Sequence, residues 1–391
     1  MKTLLFVRTR PLESNTSSSI RARSTVDLLY KCGYSVTVLT TDVDFCGDEI
    51  RYEGVEKTIR IPMSGSYNYV RTANKGTQKK SIIQEIRNFV ITKIKSVYRK
   101  VIVIDPLKLS VSKLGLVLGQ LAPKYDVIVS CSDPKSSHLL AHEVIKKGIK
   151  YDKFIEFWGD PLLLDISRKF YVPRLWVKHT EKKLLGRADL IYYVSPFTME
   201  AQKALFVDYA EKMRCLVPAY QNVRIATPVR EIKKIGYFGD YFSSIRNILP
   251  LYNAVRKTKY KLAIYGASDV ELQEVDNITV HGRIPREEMI RIEDDTDLLV
   301  CLCNNSGTQI PGKIYQYAAT NKPILLIKDG DVDLELFFGQ YNRFVFAENN
   351  EESIINALSE IDERDLSNLS PIHEFSVEYQ IPEMAKEIVS N

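Results

Sequence analysis

The sequence predicts an α/β protein made of two Rossmann-like, doubly wound domains that face a cleft. Short apolar runs alternate with stretches of helical periodicity, and strands separated by helices favour parallel sheets covered on both faces. This alternation stops at a less regular connector and then begins again. A length of 391 residues is sufficient for two domains of ordinary size.

The first domain is expected to span residues 1–228. Its first apolar run, "KTLLFV", predicts a buried strand, which forms a βαβ unit with the helical pattern "IRARSTVDLLYKCG" and the strand "YSVTVLT". The same order returns in "YDVIVSCSDPKSSHLLAHEVIKKG", in "KFIEFWGDP" and in a long helical stretch that reaches "LGRADLIYYVSP". The irregular segment "AYQNVRIATPVREIK" then predicts the linker.

The second domain is expected over residues 229–374. Its predicted elements are the strand "KIGYFG", the helix "NILPLYNAVRKT", the strands "YKLAIYG" and "ITVHG", the helix "PREEMIRIEDD", and the strands "DLLVCLCN" and "PILLIK". Neither domain has a G-x-G-x-x-G sequence after its first strand, and no Walker lysine pattern occurs. Hydride transfer and ATP hydrolysis are therefore disfavoured.

The composition is that of a soluble globular protein, with 45% apolar and 26% charged residues. Six scattered cysteines without a C-x-x-C pair favour a reduced compartment. The N-terminal apolar run is too short for a signal peptide, and no run approaches the roughly 18 apolar residues of a membrane span, so we expect a cytoplasmic protein. The sequence "DGDVD" lacks the Gly and Glu that a calcium loop needs, and we expect no metal and no cofactor. His138 and His142, in "HLLAH", are expected on an ordinary helix surface.

The segment 307–331, "GTQIPGKIYQYAATNKPILLIKDGD", places a basic residue and a bare backbone at the start of a short helix. Pro311 suits the first helical position, Gly312 allows an anion to approach the backbone, and Lys313 adds a positive charge. Gln316 shares a side of this helix with Lys313, within reach of a ribose or sugar hydroxyl. The pattern predicts a phosphate or diphosphate site. The alternative is a capped amphipathic helix with a solvated lysine.

Segments of both halves occur in a recognisable order. The second half contains "GYFG" followed by Arg246, then "IYG", "HGRIP", "DLLV" and "PGKIYQYAATNKPIL", and the first half contains "EFWGDP" and "EKKLLGRADLIYYVSP". These segments resemble those of GT-B glycosyltransferases, in particular glycosyltransferase family 4 and its bacterial capsule and O-antigen enzymes. The last segment, about 375–391, is similar to the terminal helix that in this fold crosses back onto the first domain.

The resemblance implies a metal-independent, retaining transferase. Such an enzyme would move a sugar from a nucleotide-sugar donor, with a UDP-sugar favoured, to a lipid-linked or oligosaccharide acceptor during synthesis of a bacterial surface polysaccharide. Fixed cations would then stabilise the leaving diphosphate. The family commonly carries two glutamates eight positions apart, where this chain has Thr308 and Gln316. The donor-binding residues that we expect are Gly239, Arg246, Arg283, Ile284, Thr308, Ile310, Pro311, Gly312, Lys313 and Gln316.

Three residues form the expected catalytic set. Arg246 and Lys313 would act on the diphosphate, and Asp160 is the candidate carboxylate on the acceptor side because it follows a predicted strand and precedes Pro161. The alternative role for Asp160 is a helix N-cap.

Residues 78–104 predict a basic amphipathic helix, in a region where eight Lys or Arg and one acid lie between Lys75 and Lys100. Such a helix suits an anionic membrane surface, and the protein would then be peripheral at the inner face of the membrane. The alternative is a helix of the first domain that packs on its sheet. Nucleic acid is disfavoured because aromatic residues are not interleaved with the charges. The cations expected at the membrane or acceptor surface are Lys79, Lys80, Arg87, Lys93, Lys95, Arg99 and Lys100.

Two other functions are compatible with the sequence. A GT-B sugar-nucleotide epimerase or hydrolase would act without an acceptor. A non-catalytic GT-B subunit would bind a partner enzyme or glycan, and the uncharged Thr308 and Gln316 favour this second alternative.

Overall fold

The computed structural model describes residues 1–14, 16–43, 52–63, 103–166, 168, 171–330 and 332–389. The chain forms two compact units, Met1–Leu216 with Ile381–Asn391, and Val217–Gln380. All seven cations of the expected basic helix, from Lys79 to Lys100, lie outside the described residues. No helix in the described ranges combines the length and the apolar character needed to cross a membrane.

The first unit contains a parallel sheet of seven strands. The strands are β1 (Lys2–Val7), β2 (Tyr34–Thr41), β3 (Val55–Ile61), β4 (Lys124–Cys131), β5 (Lys150–Trp158), β6 (Leu190–Tyr193) and β7 (Met213–Cys215). Their order is β3-β2-β1-β4-β5-β6-β7, and every pair is parallel. The helices are α1 (Ser17–Lys31), α2 (Ser110–Lys113), α3 (Ser136–Lys146), α4 (Arg174–Leu185) and α5 (Pro196–Leu205).

Local sequence explains how α1 begins and ends. The side chain of Thr16 accepts a hydrogen bond from the backbone N–H of Ser19, which caps the first turn. The helix ends before Gly33, whose φ of 93° lies in the left-handed region that glycine adopts most easily. The helical pattern begins at Ile20, so the prediction placed the start of α1 three residues too late.

The second unit contains a parallel sheet of six strands in the order β10-β9-β8-β11-β12-β13. The strands are β8 (Lys234–Phe238), β9 (Lys261–Tyr265), β10 (Ile278–His281), β11 (Leu298–Leu302), β12 (Ile324–Lys328) and β13 (Phe344–Glu348). The helices are α6 (Leu249–Arg256), α7 (Arg286–Asp294), α8 (Lys313–Tyr317), α9 (Leu334–Phe338), α10 (Glu351–Glu363) and α11 (Val377–Val389). The first turn of α11 belongs to the second unit and its remainder to the first.

Each sheet has one point where the connections diverge. It lies between β1 and β4 in the first unit and between β8 and β11 in the second. The loops after two such strands leave towards opposite faces, and the resulting crevice at the carboxyl ends is where ligands bind in open α/β sheets. Strands β3, β7 and β13 were not predicted. All three lie at sheet edges, where strands are short or carry charged residues.

Candidate functional site

Arg246 lies at the divergence point of the second sheet. Its Nε donates to Oδ1 of Asn304 at 2.9 Å, and its Nη1 donates to the backbone oxygen of Asp240 at 3.1 Å. Asp240 follows β8 and Asn304 follows β11. The guanidinium therefore joins the ends of the two strands that border the crevice.

Lys313 is held in an ion pair. Its Nζ lies 2.6 Å from Oε1 of Glu293, a residue of α7 whose side chain is only 2% exposed. Glu293 also pairs with Nη2 of Arg224 at 2.9 Å. Burial lowers the pKa of Lys313, and the Glu293 carboxylate acts in the opposite direction. The alternative of a freely solvated lysine is therefore wrong.

The two expected cations are both close to one buried residue, Cys301 of β11. Burial raises the pKa of the Cys301 thiol to about 12, while the positive charges of Arg246 and Lys313 both act to lower it. The charges of Arg246 and Lys313 thus act on the same residue of β11, although 67 positions separate them in the sequence.

The loop after β8 contacts the loops that follow β9 and β10. Asp240 accepts hydrogen bonds from both Nε and Nη2 of Arg283, at 2.9 Å for Nε, and from the backbone N–H of Ala267 at 2.9 Å. A Cβ on Gly266 would lie 2.0 Å from the backbone oxygen of Gly239, so no other residue fits there. The side chain of Arg283 is therefore already bound to Asp240.

Most of the remaining expected donor residues lie in or beside the loop between β11 and α8, whereas Ile284 follows β10. Gly312 is exposed, with no atom within 4 Å of the place where a Cβ would stand. Pro311 is buried, whereas Ile284, Thr308, Ile310 and Gln316 are half-buried. Helix α8 begins at Lys313, two residues after the predicted start, and has only five residues. A helix this short contributes little dipole, so the positive charge here comes mainly from the side chains.

A second polar cluster lies at the carboxyl ends of β4 and β5 in the first unit. Lys135 is 4% exposed, and its Nζ lies 2.5 Å from Oδ1 of Asp133 and 3.1 Å from Oδ2 of Asp165. Burial disfavours the ammonium, but these carboxylates and Asp160 outweigh it and raise the pKa of Lys135. Arg21 adds a cation 3.7 Å from Asp133.

Asp160 lies at the edge of this cluster and is partly buried. Burial and the neighbouring Asp133 carboxylate raise the pKa of Asp160 to about 6. The alternative role of helix N-cap is wrong, because the next helix in the described part of the chain is α4, whose N-cap residue is Pro173. A carboxylate with this pKa changes its protonation state near neutral pH and is suited to proton transfer.

The functional candidates Asp133, Lys135 and Asp165 were not predicted from the sequence. The available signal was "SCSDPK", which directly follows β4 at the divergence point of the first sheet. A buried lysine with two carboxylate partners could not be recognised, because Asp165 lies 30 residues away in the sequence.

The two histidines of α3 are buried, so their expected surface position is wrong. Nδ1 of His138 hydrogen-bonds to Oγ of Ser130 at 2.7 Å, and its ring stacks on Trp158 with centroids 4.1 Å apart. Nε2 of His142 lies 3.1 Å from Oε1 of Glu156. Helix α3 is buried along most of its circumference, which a helical pattern by itself does not show. Among the described residues, no group of three or more His, Cys, Asp or Glu side chains is arranged to hold a metal.

No protein-family model matches the chain, and no curated protein matches its sequence. Solved structures do match over nearly the whole length. A lipopolysaccharide outer core galactosyltransferase, WaaB, has a TM-score of 0.60 at 10% identity, with 99% of both chains covered. Sucrose-phosphate synthase from Thermosynechococcus elongatus has a TM-score of 0.61 at 14% identity, with 99% of this chain and 98% of that chain covered. HepE of Anabaena, in complex with UDP and glucose, has a TM-score of 0.58 at 11% identity, with 99% and 95% covered.

The chain therefore has the GT-B fold, and its structural neighbours are GT-B glycosyltransferases. Two parallel sheets of seven and six strands with interleaved helices confirm the predicted fold class. At these identities the likeness concerns the fold.

Proposed function

We propose that this protein is a glycosyltransferase of the family 4 type that uses a nucleotide-sugar donor, with a UDP-sugar favoured. The main support is the position of Arg246, whose guanidinium joins the ends of β8 and β11 where open α/β sheets bind ligands. The HepE structures contain UDP or UDP-glucose, which supports this class of donor.

The donor is assigned to the second unit. A guanidinium has five N–H donors, so the two bonds from Arg246 to Asp240 and Asn304 leave donors for a diphosphate. Lys313 shares Glu293 with Arg224, and Arg224 also pairs with Asp294 at 3.1 Å. These contacts hold the Lys313 ammonium in a fixed position, and we assign it to the leaving diphosphate. Fixed cations perform this role without a metal, and the family resemblance favours retention of anomeric configuration.

The other donor contacts follow from the resemblance. Gly239, Thr308, Ile310, Pro311 and Gly312 are assigned to the walls of the donor site. Gln316 is assigned to the ribose. The backbone at Arg283 and Ile284 is assigned to the base, since the Arg283 side chain is already bound to Asp240.

The acceptor is assigned to the first unit. Asp160, with a pKa raised to about 6, is mostly ionised at neutral pH and can accept a hydrogen bond from an acceptor hydroxyl. We further propose a lipid-linked or oligosaccharide acceptor in bacterial surface polysaccharide synthesis, and a cytoplasmic location with peripheral attachment through residues 78–104 at the inner face of the membrane.

Nucleotide release distinguishes the proposal from its alternatives. The protein is incubated with UDP-, GDP- and dTDP-sugars, with and without a lipid-linked acceptor, and the free nucleotide is measured. Release that depends on acceptor is the expected result. Turnover without acceptor would indicate an epimerase or hydrolase, and nucleotide binding without turnover would indicate a non-catalytic subunit.

A further inference from the structure

The first turn of α4 and the residues just before it expose large apolar side chains. Leu175 is 77% exposed, Trp176 is 64% exposed and Tyr171 is 63% exposed. Single exposed apolar residues are normal on protein surfaces. Three of this size within six residues form an apolar patch, and such patches mark interaction sites. Two of the three are aromatic residues that carry a polar group.

The outer face of α4 carries apolar residues in its first turn and basic residues nearer its end. The inner face buries Val177, Glu181, Leu184 and Leu185. At 100° per residue, the opposite arc of about 120° contains the remaining outward side chains. They are Leu175, Trp176, His179, Lys182 and Lys183.

Most of the charges around this face are positive. Arg174 and Lys183 are exposed and form no ion pair with any residue in the described ranges. Lys182 pairs with Asp208 at 2.6 Å, and Nζ of Lys178 lies 5.7 Å from the centroid of the Phe206 ring. The one acid within α4, Glu181, is buried and accepts hydrogen bonds from the backbone N–H groups of Leu162 and Leu163.

We propose that this region, the α4 surface, docks onto an anionic lipid membrane; it comprises Tyr171, Arg174, Leu175, Trp176 and Lys183. Tryptophan and leucine in the first turn of α4, with a tyrosine three residues before the helix, suit the boundary between headgroups and acyl chains. The long stems of the neighbouring lysines and arginine allow their charges to reach lipid phosphates at the same depth. The inference rests on exposure and charge of described residues and is independent of the proposed transferase activity and of residues 78–104.

The two tryptophans of the chain make this docking directly observable. Trp158 is fully buried, whereas Trp176 is exposed, so a change in solvent environment on vesicle binding reports on Trp176. The full chain is mixed with vesicles of phosphatidylcholine and phosphatidylglycerol. We expect a blue shift of tryptophan emission and quenching by lipids brominated in their acyl chains. Both signals should disappear in Trp176→Phe, which retains Trp158.

Binding strength is measured by vesicle co-sedimentation. Leu175→Ser with Trp176→Ser should reduce the bound fraction roughly tenfold, because the apolar area that enters the membrane is lost. Arg174→Gln and Lys183→Gln should each weaken binding to anionic vesicles about fivefold and have little effect on pure phosphatidylcholine. Leu336→Ser is the matched control, since Leu336 is 81% exposed on α9 of the other unit.

Three outcomes would overturn the proposal. One is quenching that is absent in the wild-type protein, and another is vesicle binding that Leu175→Ser with Trp176→Ser leaves unchanged. The third is a dimer in solution, measured by sedimentation velocity without vesicles, that this double variant converts to a monomer while vesicle binding persists. That result would identify a second copy of the chain as the partner. Donor turnover is measured in parallel, so loss of docking is distinguishable from failure of the proposed activity.

Discussion

Lys313 and Glu293 form an ion pair of 2.6 Å in which the carboxylate is almost wholly buried and is shared with Arg224. Removal of one partner from a buried pair leaves an uncompensated charge. The remaining bond between Glu293 and Arg224 reduces this cost for Lys313→Ala. Glu293→Gln removes the carboxylate partner of Lys313, whereas Arg224 keeps Asp294 at 3.1 Å.

We expect Lys313→Ala and Glu293→Gln each to lower the free energy of unfolding by about 1–3 kcal/mol. The double variant should lose less than the sum, with a coupling energy of about 1–2 kcal/mol. Urea denaturation of the four proteins measures the cycle. Additive losses would show that the pair contributes no net interaction.

Arg246→Gln tests the diphosphate site. Loss of charge-assisted hydrogen bonds to a phosphate should weaken UDP binding roughly 10- to 100-fold, measured by calorimetry. Lys313→Ala should weaken it as well, and both effects should diminish at high salt. Arg256→Gln is the control, because Arg256 is an exposed arginine of α6. Equal UDP affinity in Arg246→Gln and the control would remove Arg246 from the site.

Asp160 links activity to pH. Its pKa in the folded protein is raised from 3.8 to about 6, so the folded state binds this proton more tightly than the unfolded state. Protonation of Asp160 therefore adds to the free energy of unfolding below about pH 4, and this contribution is lost as pH rises through 6. Asp160→Asn should therefore be more stable than the wild-type protein by about 1–3 kcal/mol at pH 8, with little difference at pH 4.

The same substitution should abolish acceptor-dependent turnover, while the wild-type kcat/KM rises with pH through about 6. Urea midpoints and initial rates across this range check both statements. Full activity of Asp160→Asn at pH 8 would exclude a role for this carboxylate in acceptor activation.

His138 should make the protein sensitive to acid. Burial lowers the pKa of His138 from 6.5 to about 4, against the effect of Glu156, so the ring is neutral in the folded state. The unfolded chain takes up a proton first as pH falls from 6.5 to 4, and stability is lost in that window. Relative to His138→Gln, the wild-type protein should lose up to about 3 kcal/mol between these pH values.

The matched control for this measurement is His179→Gln, since His179 is exposed on α4. It should retain the wild-type pH dependence in urea titrations. Parallel curves for the wild-type protein and His138→Gln would show that the buried ring does not carry the acid sensitivity.

Local patterns were sufficient to predict most strands of the two sheets. The runs "KTLLFV" and "DLLVCLCN" became β1 and β11, because unbroken apolar runs bury both faces of a parallel strand. The edge strand β3 was not predicted, because the charged residues Glu56, Lys57 and Arg60 interrupt the apolar pattern of "VEKTIRI". The prediction of an exposed position for the histidines of α3 was wrong. Their four-residue spacing shows that they share one face of the helix, but it does not show whether other residues cover that face.

The sequence by itself determined the alternation of strands and helices, the two parallel sheets, and the positions of Arg246 in a loop after β8 and of Lys313 at the start of α8. Hydrophobic periodicity and turn residues act over a few positions and are therefore visible in the sequence. Only the tertiary structure decided which charges meet. Glu293 lies 20 residues from Lys313, Asn304 lies 58 from Arg246 and Asp165 lies 30 from Lys135. Parallel strands bring distant loops to one edge of a sheet, and no local pattern records which partners arrive there.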